Sequence, residues 1–337
     1  MNHIAVVILN WNGQAMLERF LPSVTACSAG AEVVVADNGS TDGSVAFMQE
    51  HYPQVRLVLL DKNYGFAEGY NRALAQVEAD YYVLLNSDVE CTPGWFEPVV
   101  DMMERERDIA VAQPKLLMYD RKDTFEYAGG AGGFIDKYGY PYCRGRLFST
   151  LEQDRGQYDD QRDIFWATGA CMFVRASVWK ELGGLDGDFF AHMEEIDFCW
   201  RVHLAGHRVC FCPQSAVYHV GGGTLPKSSP FKTQLNFRNN LSMLYKNLPS
   251  GRRSRVLSLR IVLDWVAALK FLLEGHTGEY KAVRKAHREY RAWKPQLDAK
   301  RAQGGTHPVT QVYQGLLLPE YYLLGRKTFS SLRGRYS

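Results

Sequence analysis

The sequence predicts an α/β fold, with a mostly parallel central sheet and flanking helices. Three observations support it. Apolar, β-branched runs alternate with stretches of helical spacing through the first half of the chain, these runs are apolar except for Glu32 and Arg56, and short polar segments follow them. Continuous apolar strands are typical of parallel sheets that are covered on both faces. The chain has 337 residues, 46% of them hydrophobic, enough for one large domain with an appendage or for two domains.

The elements follow in a regular order. Strands are predicted at residues 4–9, 32–36, 55–60, 81–85 and 109–112, and helices at 14–26, 43–50, 67–77 and 94–105. Residues 113–165 lose this rhythm and are rich in Gly, Tyr, Asp and Arg, so a hairpin and loops are expected there. Later patterns predict a helix at 193–205, short strands near 208–212 and 216–220, and a helix at 231–248.

Charge divides the chain into two parts. Residues 1–229 carry 19 Lys and Arg against 31 Asp and Glu, whereas residues 230–337 carry 20 against 6. A basic C-terminal third is expected to face nucleic acid or anionic lipid, and the absence of a nucleic-acid-binding motif from the sequence favours lipid. We therefore predict an α/β domain at 1–225 and a basic, amphipathic helical extension at 226–337.

The most apolar helix of the extension is predicted at residues 256–273. It contains Arg260, Asp264 and Lys270, and each charge near a bilayer centre costs about 2.5–3.5 kcal/mol on insertion scales, so a membrane span is not expected. Two placements remain open. The helix either lies in the membrane interface, which the flanking basic residues favour, or packs on the first domain with a partly solvated face.

The N-terminus and the cysteines bear on the compartment. The apolar run in MNHIAVVILNWNG is too short and too weakly charged for a signal peptide. The seven cysteines are scattered without a CxxC pair, which indicates a reducing compartment. We expect a cytoplasmic protein that is peripheral on the inner face of the cytoplasmic membrane.

Polar segments directly follow four of the predicted strands. They read NWNG, DNGS, DKNYG and NSD in chain order. Since ligands bind outside the C-terminal strand ends of such sheets, we expect all four segments to meet at one rim.

Two carboxylates of this rim suggest binding chemistry. Asp37 suits an Asx turn leading to a helix cap, but it can also accept a hydrogen bond from the N3–H of uracil or thymine, or from a ribose hydroxyl. Asp88 lies two residues after Asn86, so the two share one face of an extended strand, and both offer oxygen ligands to Mg²⁺ or Mn²⁺.

Three acids and one histidine complete the candidates. Glu194, Glu195 and Asp197 lie in FFAHMEEIDFCWR, where helical spacing puts Glu194 and Asp197 on one face and Glu195 elsewhere. Acids complement a helix N-terminus, which accounts for one of them, whereas crowding among aromatic rings raises at least one pKa toward the range of a general base. His219 in VYHVGGGT is either a satisfied structural histidine or, beside a metal-holding rim, a metal ligand.

Together these segments resemble the family 2 glycosyltransferases, inverting enzymes with the GT-A nucleotide-sugar fold, particularly the rhamnosyltransferase-like branch of bacterial surface-polysaccharide synthesis. Order, spacing and strand context all match over roughly residues 4–225. The matching segments are VVILNWNG, VVVADNGSTDGS, NYGFAEGYN, VLLNSDVE, TGACMFVRASVWKELGGLDGDFFAHMEEIDFCWR and VYHVGGGT.

The resemblance implies roles for the matched positions. Asp88 would hold the divalent cation on the diphosphate, with His219 as a second ligand, and Glu195 would be the catalytic base. Asn86 stands where the family has the first Asp of Asp-x-Asp, and Glu195 replaces a commoner Asp, which leaves Glu194 as the other candidate base. The implied nucleotide-binding residues are Asn10, Asp37, Asn63, Asn71 and Ser87.

The expected reaction moves one sugar from a UDP- or dTDP-linked donor, with rhamnose implied by the resemblance, to a hydroxyl of a saccharide acceptor that is polyprenyl-diphosphate-linked. The Gln-x-x-Arg-Trp signature of processive synthases is absent from the sequence, which favours one sugar per encounter. A nucleotidyltransferase of related fold would carry a basic, Gly-rich loop in place of NWNG, and a dehydrogenase would carry GxGxxG there. A binding scaffold with degenerate catalysis is favoured only by Asn86.

Overall fold

The structure is a computed structural model that describes residues 2–221 and 229–337. The predicted domain boundary at 225/226 and the glycines of VYHVGGGT beyond Gly221 lie outside the described residues. The first half alternates strands and helices as expected. Its elements are β1 (Ile4–Asn10), α1 (Gln14–Cys27), β2 (Glu32–Asn38), α2 (Ser44–His51), β3 (Arg56–Leu60), α3 (Gly65–Leu74), β4 (Tyr81–Asn86), β5 (Val89–Cys91), α4 (Glu97–Arg105) and β6 (Ile109–Met118).

Short strands dominate the middle of the chain and helices its end. The middle elements are β7 (Gly133–Asp136), β8 (Pro141–Cys143), β9 (Arg146–Leu147), β10 (Thr150–Leu151), β11 (Arg162–Asp163), β12 (Cys171–Arg175), α5 (Ala176–Glu181), a 3-10 turn (Gly187–Phe189), α6 (Glu194–Leu204) and β13 (Arg208–His219). The last elements are α7 (Pro230–Asn247), α8 (Ser250–Leu273), α9 (Thr277–Ala302), β14 (Val312–Tyr313), α10 (Leu317–Tyr322) and a 3-10 turn (Phe329–Ser331).

The central sheet has the strand order β11-β13-β6-β12-β4-β1-β2-β3, with β5 paired to β13. Strands β4, β1, β2 and β3 are parallel, whereas β12 runs antiparallel between β4 and β6. The chain goes from β1 to β2 on one side and returns to β4 on the other, so the strand order reverses at β1. Such a reversal opens a crevice at the carboxyl ends of the strands.

The pairing places the predicted polar segments beside one another. Asn10 at the end of β1 is in register with Asp37 of β2, and Leu9 is in register with Asn86 of β4. Helices α1 and α4 pack on one face of the sheet and α3 and α6 on the other, which explains why these strands are apolar on both faces.

Strand β13 corrects one prediction. The two strands expected near 208–212 and 216–220 form a single strand, which pairs in parallel with β6. The register of this pairing shifts between Cys212 and Ala216 of β13. Cys212 lies opposite Pro114 at this shift. Proline donates no ladder hydrogen bond, and an irregularity in the partner strand accommodates it, so β6 continues to Met118 instead of ending at the expected residue 112.

Residues 113–165 contain more regular structure than expected. Beyond β6, strands β7 to β10 form a second sheet of order β10-β9-β8-β7-β14, in which β14 pairs in parallel with β7. The strands of this sheet are two to four residues long, too short for a clear periodic pattern. The pairing with β14 joins segments more than 170 residues apart, and sequence periodicity carries no signal for it.

The C-terminal helices share the core of the sheet. Buried apolar residues continue from Leu84 and Phe198 on the α3 and α6 side into Leu241 and Leu244 of α7 and Tyr290 of α9. Helix α8 buries one side while much of its other side is exposed. None of the helices in ranges 2–221 and 229–337 is long and apolar enough to span a bilayer.

Candidate active site

The carboxyl ends of β1 and β4 open into a cleft of about 2000 Å³. A site for one small ligand is typically about 300–1000 Å³, so this cleft has room for two ligands at once. Four of the predicted site residues are not among the described residues that border the cleft: Asn10, Asp37, Asn71 and Asp197. The predicted site residues that border the cleft are Asn63, Asn86, Ser87, Asp88, Glu194, Glu195 and His219.

Asp88 and His219 come together through strand pairing. Strand β5 begins just after Asp88 and pairs with the end of β13, so that Val89 lies opposite His219. As a result, His219 Nε2 is 3.1 Å from Asp88 Oδ1 and 3.3 Å from Asn86 Nδ2. Both Asp88 and His219 are buried except where they border the cleft.

Glu126 completes this group from the other side of the imidazole ring. Its Oε1 lies 3.4 Å from His219 Nδ1, and its Oε2 accepts a hydrogen bond of 2.6 Å from the Ala128 N–H. Sequence reasoning missed Glu126, because it is a single acid in the irregular stretch FEYAGG, which matches no motif. A carboxylate on the second ring nitrogen fixes the orientation of a histidine and increases its basicity.

The charges of this group shift two pKa values in opposite directions. Burial alone would lower the pKa of His219, but Glu126 and Asp88 outweigh it and raise the pKa to about 10. Burial alone would raise the pKa of Asp88, but the hydrogen bond and charge of His219 outweigh it and lower the pKa.

The side chains of Asp88 and His219 suit a divalent cation, which would displace the proton that His219 otherwise shares with Asp88. Two atoms that each bind one ion at about 2.1 Å and at a right angle stand about 3 Å apart, close to the separation of this pair. No group of three or more His, Cys, Asp or Glu side chains that could hold a metal occurs in the described ranges. The arrangement therefore fits a partial ligand shell that water and substrate oxygens complete.

Glu194 and Glu195 begin α6 and both border the cleft. In each glutamate Oε2 is buried without a hydrogen-bond partner among the described residues. Burial and the charge of Glu195 raise the pKa of Glu194 well above its usual range, and burial raises the pKa of Glu195 to about 7.

Asp197 lies about one turn further along the same helix and is fully buried. Lys246 Nζ is 2.8 Å and Asn247 Nδ2 2.7 Å from its carboxylate, both from α7, and Arg201 Nε is 3.0 Å away. Lys246 also binds Asp186 at 2.6 Å. Asp197 thus joins α6 to α7, and its carboxylate is occupied by these partners.

A strained turn presents the two glutamates. Phe190, His192 and Met193 have φ values of 65°, 70° and 72°, a region that non-glycine residues rarely adopt. The Ala191 N–H donates to Phe189 O at 2.8 Å, which closes a γ-turn of the uncommon positive-φ kind around Phe190.

Two neighbouring helices hold this turn. Asn239 Nδ2 of α7, fully buried, lies 2.9, 2.9 and 2.8 Å from the carbonyl oxygens of Phe189, Ala191 and His192. The first N–H groups of α3, from Phe66 and Ala67, donate to Phe190 O at 2.6 and 3.1 Å. Strained backbone persists only where the surroundings over-determine it, and it clusters at functional sites.

The segments after β1 and β2 form a compact polar unit beneath the cleft. Both carboxylate oxygens of buried Asp37 accept from the Ser40 N–H, at 3.1 and 3.2 Å, one residue further along the chain than in the expected Asx turn. Asn10 Nδ2 donates to Ser40 Oγ at 3.3 Å, while Asn10 Oδ1 is buried with no partner in the described ranges.

The segment after β3 contacts this unit closely. Gly39 has φ of +71°, and a Cβ there would stand 2.4 Å from the Cα of Lys62, so the contact requires glycine. Asn63 Oδ1 accepts from the Gly65 N–H at 2.8 Å and borders the cleft. Asn71 instead binds the backbone N–H and C=O of Leu185, at 2.9 and 2.8 Å, and so ties α3 to the segment before the strained turn.

The sequence model of Glycosyl transferase family 2 matches residues 5–183, more than half of the chain. The chain belongs to this family. It is a glycosyltransferase enzyme, and its fold is the GT-A fold, with the C-terminal helices in addition.

Its relatives include two named rhamnosyltransferases. The N-acetylglucosaminyl-diphospho-decaprenol L-rhamnosyltransferase of Mycobacterium tuberculosis is 29% identical over 64% of this chain and 75% of its own length. Rhamnosyltransferase WbbL of Escherichia coli is 23% identical over 64% of this chain and 83% of its own length.

Two solved structures share the fold at low identity. S. aureus TarS 1-349 has a TM-score of 0.54 at 15% identity, over 89% of this chain and 87% of its own. GalNAc-T7, solved with UDP, GalNAc and Mn²⁺, has a TM-score of 0.57 at 17% identity, over 73% of this chain and 48% of its own.

Proposed function

We propose that this glycosyltransferase moves one hexose, with inversion, from a nucleotide-sugar to a hydroxyl of a lipid-linked saccharide. One observation carries the proposal: the walls of a single cleft contain the Asp88–His219 pair and the acids Glu195 and Glu194, whose buried Oε2 atoms have no partner among residues 2–221 and 229–337. The first group suits a cation on a diphosphate, and the second suits removal of a proton from an acceptor.

Glu195 is the proposed base. At neutral pH an acid of pKa about 7 is ionised in a sizeable fraction of molecules and is still basic enough to accept a proton. Burial and the charge of Glu195 raise the pKa of Glu194 well above its usual range, which favours the neutral form and makes Glu194 a weaker candidate. The proposal leaves Asp197 out, since three side chains from α6 and α7 occupy its carboxylate.

The reaction is a single displacement. The acceptor oxygen forms a bond to the anomeric carbon, the bond from that carbon to the diphosphate oxygen breaks, and the acceptor proton goes to Glu195. A divalent cation, Mg²⁺ or Mn²⁺, held by Asp88 and His219 with Asn86 beside it, would stabilise negative charge on the leaving diphosphate. GalNAc-T7, which shares the fold, was solved with Mn²⁺ and UDP.

The nucleotide is proposed to lie over the ends of β1, β2 and β4. Asn63 and Ser87 border the cleft, and Asn10 and Asp37 form the polar unit beneath it. Asn71 would act indirectly, through the backbone of Leu185. A pyrimidine donor, UDP- or dTDP-linked, suits a carboxylate acceptor at Asp37, and the names of the two relatives support rhamnose as the sugar.

A polyprenyl-diphosphate-linked acceptor is proposed because the mycobacterial relative is named for one. Helix α8 supplies a matching surface feature. Five apolar residues on one side of it are 37% to 79% exposed, at spacings of three and four residues: Leu259, Val262, Val266, Leu269 and Leu273. This stripe between basic ends suits a helix in the inner membrane interface, which would make the enzyme cytoplasmic and peripheral.

The test is a transfer assay on the purified chain with Mn²⁺, dTDP-rhamnose or UDP-sugars, and a short-chain polyprenyl-diphosphate-linked N-acetylglucosamine. Proton NMR of the product reports the anomeric configuration. We expect an inverted linkage with one of these donors and none with Glu195→Gln. A retained configuration, or wild-type turnover by Glu195→Gln, would contradict the proposal.

A further inference from the structure

Exposed apolar side chains surround the mouth of the cleft. Trp11, Tyr127 and Phe231 border the cleft and are 40%, 54% and 45% exposed. They come from three separate segments, the loop after β1, the excursion after β6 and the start of α7. Single exposed apolar residues are ordinary, but a connected group around one opening marks a contact surface.

Helix α8 ends at this mouth. Phe271 and Glu274 border the cleft, and Leu272 and Leu273 between them are 41% and 79% exposed. The apolar stripe of α8 therefore leads to the opening of the cleft.

The end of α10 supplies an apolar element that the sequence patterns do not reveal. Residues 322–324 (Tyr-Leu-Leu) are 64%, 80% and 62% exposed. The neighbouring Tyr321 is buried, and its hydroxyl is 3.1 Å from Ser149 Oγ, a residue of the cleft wall. The ring of Tyr322 packs on Phe148 with centroids 5.3 Å apart. This tip is thus fixed to the cleft wall.

Basic residues flank both elements. Arg252, Arg253 and Arg255 stand at the start of α8, and Arg326 and Lys327 follow the tip. The segment 230–337 carries 20 Lys and Arg against 6 Asp and Glu. Apolar side chains set among cations match a bilayer with anionic headgroups.

We propose that the mouth residues, the end of α8 and the tip at residues 322–324 form one lipid-contacting rim, so that the cleft opens directly against an anionic bilayer. The inference deepens the proposed function and rests on it. Helix α8 alone would anchor the enzyme, whereas a rim also sets the direction in which the cleft faces. A bilayer against the rim can deliver a lipid-linked acceptor into the cleft, whereas a protein seated there would close it.

The test compares single substitutions at exposed leucines. Leu323→Ser and Leu273→Ser remove rim side chains, and Leu59→Ser is the matched control, since Leu59 is 56% exposed on β3 away from the cleft. Binding is measured by flotation with vesicles of phosphatidylcholine and phosphatidylglycerol. Each rim substitution should weaken binding about tenfold, and the control should bind as wild type does.

Transfer activity gives a second readout. Leu323→Ser should lower turnover of an acceptor embedded in vesicles and leave turnover of a water-soluble, short-chain acceptor unchanged. If the wild type transferred sugar to neither acceptor, the proposed reaction would be contradicted. Vesicle binding would still test whether the rim contacts lipid.

Two results would contradict the proposal of a lipid-contacting rim. In the first, Leu323→Ser binds vesicles as tightly as wild type, which would leave α8 as the anchor by itself. In the second, light scattering shows a wild-type dimer that Leu323→Ser converts to a monomer, which would make this surface an interface between copies of the chain.

Discussion

The acids in the first turn of α6 are in opposite states. Toward the cleft, Glu194 and Glu195 each have a buried oxygen without a partner among the described residues, and their pKa values are raised. Toward α7, Asp197 is buried more completely, yet Lys246, Asn247 and Arg201 surround it. All three acids lie in the first turn of one helix. Burial alone therefore does not make a carboxylate reactive; the partners that other elements supply decide it.

Glu195→Gln should have the largest effect on the cleft side. Without a group that accepts the proton, kcat should fall about 10²–10⁴-fold, while the dissociation constant of the nucleoside diphosphate, measured by titration calorimetry, stays near the wild-type value. A comparable fall in kcat for Asp197→Asn with unchanged thermal stability would break the comparison, because it would place catalysis on the α7 side.

Lys246→Met should have the largest effect on the α7 side. It removes the cation that the buried carboxylates of Asp186 and Asp197 share, while Lys300 and Arg201 remain beside them, so the cost should be about 3 kcal/mol, at the low end for a broken buried ion pair. Urea unfolding measures the loss. Lys270→Met is the matched control, since Lys270 is 70% exposed in its pair with Glu274, and it should cost less than about 1 kcal/mol.

The loss of stability in Lys246→Met depends on pH. Burial alone would raise the pKa of Asp186, but Lys246 and Lys300 outweigh it and lower the pKa to about 2. The ion pair therefore contributes fully above the usual value of 3.8 and is lost as the pH falls toward the folded value. The stability gap between wild type and Lys246→Met should narrow below pH 3.8; a constant gap down to acid unfolding would contradict this.

Asn239→Ala should have a smaller, mixed effect, since Asn239 lies on α7 but holds the turn that presents the glutamates. Removing it leaves three turn carbonyls without this donor and should cost about 1–3 kcal/mol of stability. The turn then relaxes, so kcat falls and the midpoint of its pH profile moves down as Glu195 becomes more hydrated.

Asn240→Ala provides the control for that substitution. Asn240 is also buried on α7 but donates to Gly139 O at 2.9 Å, and its contact with the turn is weak, with Nδ2 4.0 Å from Met193 Sδ. It should lower stability by a similar amount and leave the kcat profile unchanged. Equal effects of both substitutions on kcat would show that only general stability was lost.

Glu194→Gln should have the smallest effect. With Glu195 as base, kcat of the wild type rises with pH through about 7 and then levels off. The raised pKa of Glu194 favours its neutral form, which the amide imitates, so the midpoint should move by less than about half a unit. Loss of transfer in this variant would assign the base to Glu194 and would identify which of the two cleft-side glutamates is reactive.

Sequence periodicity predicted the parallel half of the sheet closely, because β1, β2 and β4 are mostly buried on both faces and each strand is followed by a polar segment. It predicted neither the second sheet, whose strands are short, nor the pairing of β14 with β7. Within the site, motifs singled out Asp88 and His219, whereas Glu126, Asn239 and Lys246 were missed. Each of these three acts through a contact with a distant segment, and no local pattern marks it.

The hydrogen bonds from Asn239 of α7 to the turn before α6 have a consequence for engineering. Grafting the C-terminal helices of a relative onto this chain is an obvious route to a new acceptor preference. Such a hybrid also exchanges Asn239 and Lys246, and with them the supports of the strained turn and of Asp197. A productive junction therefore lies after Asn247, so that only the later helices are exchanged and the proton acceptor stays in place.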